Sequence, residues 1–169
     1  MAQRFFHVEA LWVAFAAIAF VLAVPSGGAA QKVEEKDYCE RYLKHEVPRF
    51  RVARKHRTEI KPGLVLFVSI APSDVERDKL VALACKLGRD YANEEALYVW
   101  ILDSYKAARR YSPQGEGNDR TTNLSFRASY GFFCDSGKCE HSLDWWPDPL
   151  DRSRWVHIDL GEPPERGSR

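Results

Sequence analysis

Two short apolar runs in the middle of the chain predict buried strands. Residues 63–70 read GLVLFVSI and residues 96–102 read ALYVWIL. Near-continuous apolar runs of this length are typical of strands that are covered on both faces. Between them, one apolar stripe at helical spacing is formed by Leu80, Leu83, Ala84, Leu87 and Tyr91. A strand, a helix and a strand in this order predict a βαβ unit with two parallel strands.

Polar residues mark the expected ends of the helices. The segment Ser73-Asp74-Val75-Glu76 matches a capping box, so we expect Ser73 to cap the helix that follows the first strand. Asp103 or Ser104 is expected to cap a second, short helix that runs to Tyr111. Both caps would lie at the carboxyl ends of the predicted parallel strands.

The remaining pattern is weaker and completes a mixed sheet. It predicts a helix over 36–47, an extended segment over 49–57, an exposed loop over 113–119, and strands over 124–133, 139–146 and 154–160. The fold class is therefore α/β (α+β). We expect a single small domain over 31–160, with a mixed β-sheet built around one βαβ unit and helices packed on the sheet. Residues 161–169 are expected to form a flexible tail.

The first thirty residues follow a different pattern. An apolar run from Ala10 to Val24 is preceded by Arg4 and is followed by Pro25 and small residues. This order predicts a signal peptide over 1–30 that is cleaved before Gln31. A membrane-spanning helix needs ~20 apolar residues, and this run is shorter, but an uncleaved signal anchor remains the alternative. The expected location is secreted or periplasmic.

Four cysteines remain after the leader, at positions 39, 85, 134 and 139. An even number in an exported domain predicts two disulfides. The four residues between Cys134 and Cys139 look like a hairpin loop, which favours the pair Cys134–Cys139 and leaves Cys39–Cys85. Zinc ligation by Cys134, Cys139 and His141, with His157 as a distant fourth ligand, is a weaker interpretation, because zinc sites prefer closer cysteine pairs. We expect no metal and no cofactor.

The overall charge gives no reason to bind nucleic acid. The chain has 25 Lys and Arg against 24 Asp and Glu, a formal net charge of +1. One local basic patch is formed by Arg49, Arg51, Arg54, Lys55 and Arg57. If Arg49, Arg51 and Lys55 share one face of a strand, they could meet anionic lipid, polysaccharide or nucleic acid. The alternative is a solvated edge strand protected by its charges.

Aromatic residues near the C-terminus are candidates for ligand contact. Trp145 and Trp146 are adjacent, so a strand would direct them to opposite faces, and Trp155 follows closely. An exposed indole offers a flat surface on which a sugar ring can stack. The alternative is that these tryptophans close the core.

Acid–base candidates lie in two places. Ser73 and Asp103 follow the predicted parallel strands, where ligands often bind in open α/β sheets, although both could simply cap helices. The second set is Asp144 and His157, which could cluster with Asp148 and Asp151, and it rests on proximity in the sequence alone. The sequence has no G-x-S-x-G turn and no glycine-rich phosphate loop.

These observations favour an exported, non-enzymatic binding or interaction domain with an unidentified ligand. The alternatives are a small secreted hydrolase that uses Asp103 or the Asp144/His157 pair, and a structural envelope protein anchored by its signal. Candidate partners are an envelope component, a saccharide or another exported protein. A membrane is expected as a partner only if the leader is retained. Asn123-Leu124-Ser125 fits the N-glycosylation pattern, which matters only in a cell that glycosylates secreted proteins.

Overall fold

The computed structural model describes residues 38–58, 63–135, 138–151 and 153–163. The predicted leader and its cleavage site lie outside the described residues. The described segments all belong to the unit Lys32–Arg169. In chain order the elements are α1 (Tyr38–Tyr42), β1 (Phe50–Thr58), β2 (Gly63–Ile70), a 3-10 turn (Pro72–Asp74), α2 (Arg77–Asp90), β3 (Ala96–Leu102), α3 (Tyr105–Arg110), α4 (Arg120–Leu124), β4 (Phe126–Asp135), β5 (Lys138–Trp145) and β6 (Val156–Asp159).

The strands form one six-stranded sheet in the order β1-β2-β3-β4-β5-β6. Strands β2 and β3 are parallel and flank α2 in the chain, which confirms the predicted βαβ unit. The other neighbouring strands pair antiparallel. The mixed α/β fold class, with helices packed on a mixed sheet, is confirmed.

One side of the sheet, the covered face, packs against α2. Alternate residues of β2, namely Leu64, Leu66 and Val68, point to this side and are fully buried. They meet the apolar stripe of α2, in which Leu80, Leu83, Ala84 and Leu87 are also fully buried. Each fully buried leucine contributes about 1.5–3 kcal/mol relative to an exposed one. This aliphatic layer is the main core.

The predicted cap of α2 is wrong. The segment Pro72–Asp74 forms a 3-10 turn, and α2 begins only at Arg77, after an extended Glu76 whose side chain makes no capping bond. Ser73 is therefore an exposed turn residue. Proline fixes its own φ and suits a turn start, so the chain turns before the helix begins. Ser104 does cap α3, since its hydroxyl accepts from Ala107 N at 3.3 Å.

Other boundaries also differ from the sequence pattern. The helix expected over 36–47 is the five-residue α1 within the described part of the chain. Val47 precedes Pro48, and residues before proline avoid the helical region. The helix α4 was not predicted; Asp119 caps it by accepting from Thr122 N at 2.6 Å. The last strand is confirmed but is only four residues long.

Both predicted disulfide pairs are confirmed. Cys39 in α1 is bonded to Cys85 in α2, with Cα atoms 5.3 Å apart. Cys134 and Cys139 are paired directly across β4 and β5, with Cα atoms 4.0 Å apart. The first disulfide joins two helices distant in sequence, and the second closes the end of a hairpin.

No helix in the described ranges is long and apolar enough to cross a membrane.

Candidate functional site

The second side of the sheet, which we call the open face, carries one straight row of paired residues. Phe67 on β2 pairs with Trp100 on β3, which pairs with Ser129 on β4. Ser129 pairs with Asp144 on β5, and Asp144 pairs with His157 on β6. Directly paired residues project their side chains to the same side of a sheet. The register therefore lines up two aromatic, one hydroxyl and two ionisable side chains on the open face.

Aromatic rings form a continuous chain along this face. Tyr111, the residue that follows α3, stacks on Phe126 with ring centroids 5.2 Å apart. The ring centroid of Phe126 also lies 5.8 Å from that of Trp100 and 4.9 Å from that of Trp146. Trp155 then stacks on Trp146 at 6.3 Å and an interplanar angle of 24°. This series of contacting rings extends from the buried cluster under α3 to the edge of the sheet.

The tryptophans predicted as ligand contacts differ in exposure. Trp145 and Trp146 are half-buried on opposite sides of the sheet, as strand alternation predicts. Trp145 packs into the covered face, and its Nε1 is buried without a hydrogen-bond partner among the described residues. Trp155 is 51% exposed. Of the three, Trp146 and Trp155 stack on each other on the open face, and Trp155 is the exposed member of the pair.

Asp144 and His157 form a hydrogen-bonded pair beside these rings. Nδ1 of His157 lies 2.8 Å from Oδ1 of Asp144. The ring of His157 also meets Trp155 edge-on, with centroids 6.0 Å apart. A carboxylate only accepts hydrogen bonds, so Nδ1 is the donor, and Nε2 of a neutral ring is left as an acceptor. The side chains are 32% and 49% exposed, so both can reach a ligand from solvent.

Ser129 does not complete a nucleophilic triad with this pair. In such a triad the histidine stands between the serine and the carboxylate. Here Asp144 occupies the middle position, and Ser129 and His157 are paired with it from opposite sides. Adjacent strands are ~4.8 Å apart, so Ser129 and His157 are separated by about twice that spacing. This row suits ligand binding through hydrogen bonds better than acyl transfer by Ser129.

Asp103 and Ser73 lie elsewhere. Asp103 directly follows β3 and accepts from Arg127, whose Nε lies 2.7 Å from Oδ2 and whose Nη2 reaches the same oxygen. Its side chain is only 10% exposed. Ser73 is exposed in the turn after β2. The carboxylate of Asp103 therefore forms an ion pair with Arg127 at the carboxyl ends of the parallel strands.

The basic patch is divided by a bulge in β1. Arg51 pairs with Ser69 and Lys55 pairs with Leu66, and the register shifts between Val52 and Arg54. Ser69 and Leu66 are three positions apart on one strand, so they face opposite sides of the sheet. Arg51 and Lys55 therefore do not share a face, because the extra residue reverses the alternation.

Each basic side chain on β1 has its own local contact. Arg51 lies over Tyr105 at 4.4 Å, and Lys55 lies 5.7 Å from the ring of Tyr91. Further contacts join Arg54 to Phe67, and Arg57 to Glu94, with which it forms two hydrogen bonds of 2.8 and 3.0 Å. Arg49 precedes the strand and is exposed. A single basic surface that includes Arg49, Arg51 and Lys55 is not formed.

The candidate zinc ligands form a disulfide and hydrogen bonds instead. Both sulfur atoms of Cys134 and Cys139 are in their disulfide. His141 is buried on the covered face, with Nε2 3.1 Å from the hydroxyl of Tyr130 and Nδ1 3.1 Å from the carbonyl of Glu162. Burial lowers the pKa of His141, and burial raises the pKa of Tyr130. Over the described ranges, no group of three or more His, Cys, Asp or Glu residues is arranged to hold a metal ion.

Sequence reasoning missed the aromatic residues that support Trp146. Trp100 was assigned only to a buried strand, although the burial of β3 alternates at Tyr98 and Trp100. Ile101 pairs with Ala128, but the next residue, Leu102, pairs with Phe126, so the register shifts at this point. Because of this shift, Phe126 lies on the open face. Nothing in the residue pattern marks this bulge. Asn123 of the glycosylation motif is half-buried in α4.

Comparisons with known proteins add no further constraint to this site. The chain matches no protein-family model, no curated protein and no solved structure. What the open face can do therefore follows from its own side chains: a stacked, partly exposed indole pair beside a hydrogen-bonded carboxylate and imidazole.

Proposed function

We propose that this chain is an exported binding domain whose open face takes a saccharide. The proposed contact surface, the tryptophan site, consists of Trp146, Trp155, Asp144 and His157. The observation that carries the proposal is the stacking of Trp155 on Trp146 at 6.3 Å, with Trp155 51% exposed, next to the 2.8 Å Asp144–His157 hydrogen bond.

The chemistry of a sugar suits this combination of groups. One face of a sugar ring presents C–H groups that pack on an indole, while its edge presents hydroxyls that donate and accept hydrogen bonds. Asp144 accepts from a hydroxyl, and Nε2 of His157 accepts when the imidazole is neutral. Trp146 is held by Phe126 beneath it, so Trp155 stacks on a fixed partner. Fixing the rings before binding lowers the entropy cost of association.

Export is supported by the cysteines. Two disulfides are compatible with an oxidising compartment outside the cytoplasm. The leader expected over residues 1–30 would supply the route. Alkaline extraction of producing cells distinguishes cleavage from anchoring, because a cleaved protein is released and a signal-anchored envelope protein stays with the membrane.

Binding to insoluble polysaccharides tests the proposal directly. We expect the purified, disulfide-bonded protein to sediment with at least one of cellulose, chitin and peptidoglycan. Trp155→Ala and Trp146→Ala should each lower the affinity about tenfold or more, because they remove one stacking face. Tyr105→Ala is the matched control, since it removes another exposed aromatic ring from α3, and it should bind as the wild type does.

Two results would contradict the saccharide proposal. One is the absence of sedimentation with all three polysaccharides. The other is a Trp155→Ala variant that is retained as well as the wild type. Circular dichroism of each variant would show whether the fold is intact, so that a loss of binding is assigned to the missing ring.

The Asp144–His157 pair also supports a second candidate function, hydrolysis. A histidine oriented by a carboxylate can act as a general base on a water molecule, with Nε2 as the acceptor. The test measures the release of reducing ends from any polysaccharide that binds. If the protein is a hydrolase, the wild type releases reducing ends and His157→Gln does not. If it is a binding domain, the wild type sediments with the polysaccharide and releases no reducing ends.

A further inference from the structure

A groove lies on the open face at the opposite end from the tryptophan site. It lies between β1, β2, β3 and the loop that follows α3, and its volume is about 430 Å³. Small-molecule sites typically have volumes of ~300–1,000 Å³. We call it the basic groove, and its lining includes Arg54, His56, Phe67, Tyr98, Trp100 and Gln114.

Arg54 is the most polar part of this lining and is held in place. Its guanidinium lies over the ring of Phe67 at 3.8 Å, and its Nη2 donates to the carbonyl of Tyr111 at 2.6 Å. A guanidinium has five N–H donors, so donors remain beyond the one that Tyr111 receives. Within the described segments, no carboxylate forms an ion pair with Arg54. The group is therefore positioned and still able to bind an anion.

The loop that closes one side of the groove is also held in a fixed conformation by its own hydrogen bonds. The side chain of Asn118 accepts from Ser112 N and donates to Ser112 O, both at 2.8 Å. Ser112 Oγ donates to Gln114 Oε1 at 3.2 Å. The turn continues through Gly115, whose φ of 83° is a conformation that favours glycine. These bonds hold Ser112 and Gln114 at the rim of the groove.

The two ends of the open face differ in charge. Among the residues that the structure describes, the lining of the basic groove includes Arg54 and His56 and no Asp or Glu. The tryptophan site, in contrast, contains the carboxylate of Asp144. A ligand of the groove is therefore expected to carry negative charge, whereas the tryptophan site suits neutral hydroxyls.

The rings in the groove select a flat ligand. Tyr98 and Trp100 are half-buried neighbours on β3 that point to the same side, and Phe67 is buried beside them. Planar surfaces of this kind favour stacking of an aromatic ring. A guanidinium binds a carboxylate through two parallel hydrogen bonds. We propose that the basic groove binds a small aromatic carboxylate, with its acid group on Arg54 and its ring against Trp100. This proposal is independent of the saccharide proposal.

Nuclear magnetic resonance titration of the full protein tests this assignment. The probes are indole-3-acetate and 4-hydroxybenzoate, with indole and phenol as their uncharged counterparts. We expect saturable shifts of the backbone amides of His56, Ser112 and Gln114 with the acids. The uncharged counterparts should bind at least tenfold more weakly, because a charge-assisted hydrogen bond to Arg54 is lost.

Substitutions at two arginines of the same strand provide the matched comparison. Arg54→Gln should weaken binding of indole-3-acetate about tenfold to a hundredfold, and Arg54→Lys should weaken it less because the charge remains. Arg57→Gln is the control: Arg57 pairs with Leu64 on the covered face and bonds to Glu94, so affinity should not change. If Arg54→Gln does not fold, the titration of Arg54→Lys decides, and an affinity equal to the wild type contradicts the assignment.

Several outcomes would overturn the proposal. Indole binding as tightly as indole-3-acetate would show that Arg54 does not recognise the acid. Glucuronate binding more tightly than both aromatic acids would show that the rings do not select a planar ligand. Amide shifts confined to residues around Trp155 would assign the ligand to the tryptophan site. Unchanged affinity in a folded Arg54→Gln variant, or the absence of saturable shifts with either acid, would also exclude it.

Discussion

The two faces of the sheet differ in how they are covered and in what they are made of. The covered face packs aliphatic side chains against the fourteen-residue helix α2, and its central leucines are fully buried. The open face carries aromatic side chains and is packed by the six-residue helix α3. The covered face therefore supplies most of the apolar burial, while the open face presents rings and polar groups toward solvent.

The same strand contributes to both faces in different ways. In β2, Leu64, Leu66 and Val68 enter the aliphatic core, while Val65 and Phe67 enter the aromatic cluster. All of these residues are buried. In β5, Leu143 is fully buried on the covered face while its neighbour Asp144 is partly exposed on the other. Both strands therefore contribute side chains to the two faces, and substitutions can test the faces separately.

The largest expected effect is the loss of the disulfide that joins α1 to α2 on the covered face. Cys39 and Cys85 are 46 positions apart, while Cys134 and Cys139 are five apart. In the chain-entropy description, these loops correspond to about 4 and about 2 kcal/mol of stability. Urea unfolding of Cys39→Ser/Cys85→Ser and of Cys134→Ser/Cys139→Ser should show the larger loss for the first pair. The reverse order would contradict this expectation.

A core substitution compared with an exposed one separates the two faces directly. Leu83 in α2 is 0% exposed, and Leu83→Ala should lower the free energy of unfolding by about 3 kcal/mol, because it leaves a cavity. Trp155→Ala removes a larger side chain from the open face and should change stability by only about 0.5 kcal/mol. Chemical denaturation measures both. Equal losses would mean that Trp155 belongs to the core and that the proposed division is wrong.

The central part of the fold could be predicted because several signals agree there. The apolar runs of β2 and β3, the stripe of α2 and the spacing of the cysteines all indicate the same arrangement. The weaker strands could be predicted as well, because apolar and polar residues alternate along them and turn residues mark their ends. The cap of α2 was missed because Pro72 starts a turn that the capping pattern does not take into account.

The open face could be predicted only in part, because one extra residue changes which side a strand presents. The bulge between Val52 and Arg54 separates Arg51 from Lys55, and the shift before Phe126 brings that ring under Trp146. Register shifts of this kind depend on pairing with neighbouring strands rather than on local composition. Asp144 and His157 were named as candidates from proximity alone, and their direct pairing depends on the β5–β6 register.

The smallest expected effect concerns the titratable group on the covered face. His141 is 3% exposed, and burial lowers its pKa, although the charge of Asp159 and hydrogen bonds to the backbone of Glu162 and Gly161 act in the opposite direction. The unfolded chain therefore binds a proton at a higher pH than the folded protein does. Stability from neutral His141 is fully present above about pH 6.5 and is lost progressively as the pH falls toward the lower folded-state pKa.

Urea unfolding at pH 7.5, 6.5 and 5.5 checks this expectation. The wild type should lose stability as the pH falls, and His141→Gln should lose less, because a glutamine does not take up a proton when the chain unfolds. Tyr130→Phe is a useful second variant, since it removes the hydroxyl near Nε2 and leaves the imidazole in place. It should keep the wild-type direction of pH dependence. If His141→Gln and the wild type lose stability equally over this range, the pH dependence belongs to groups other than the buried histidine of the covered face.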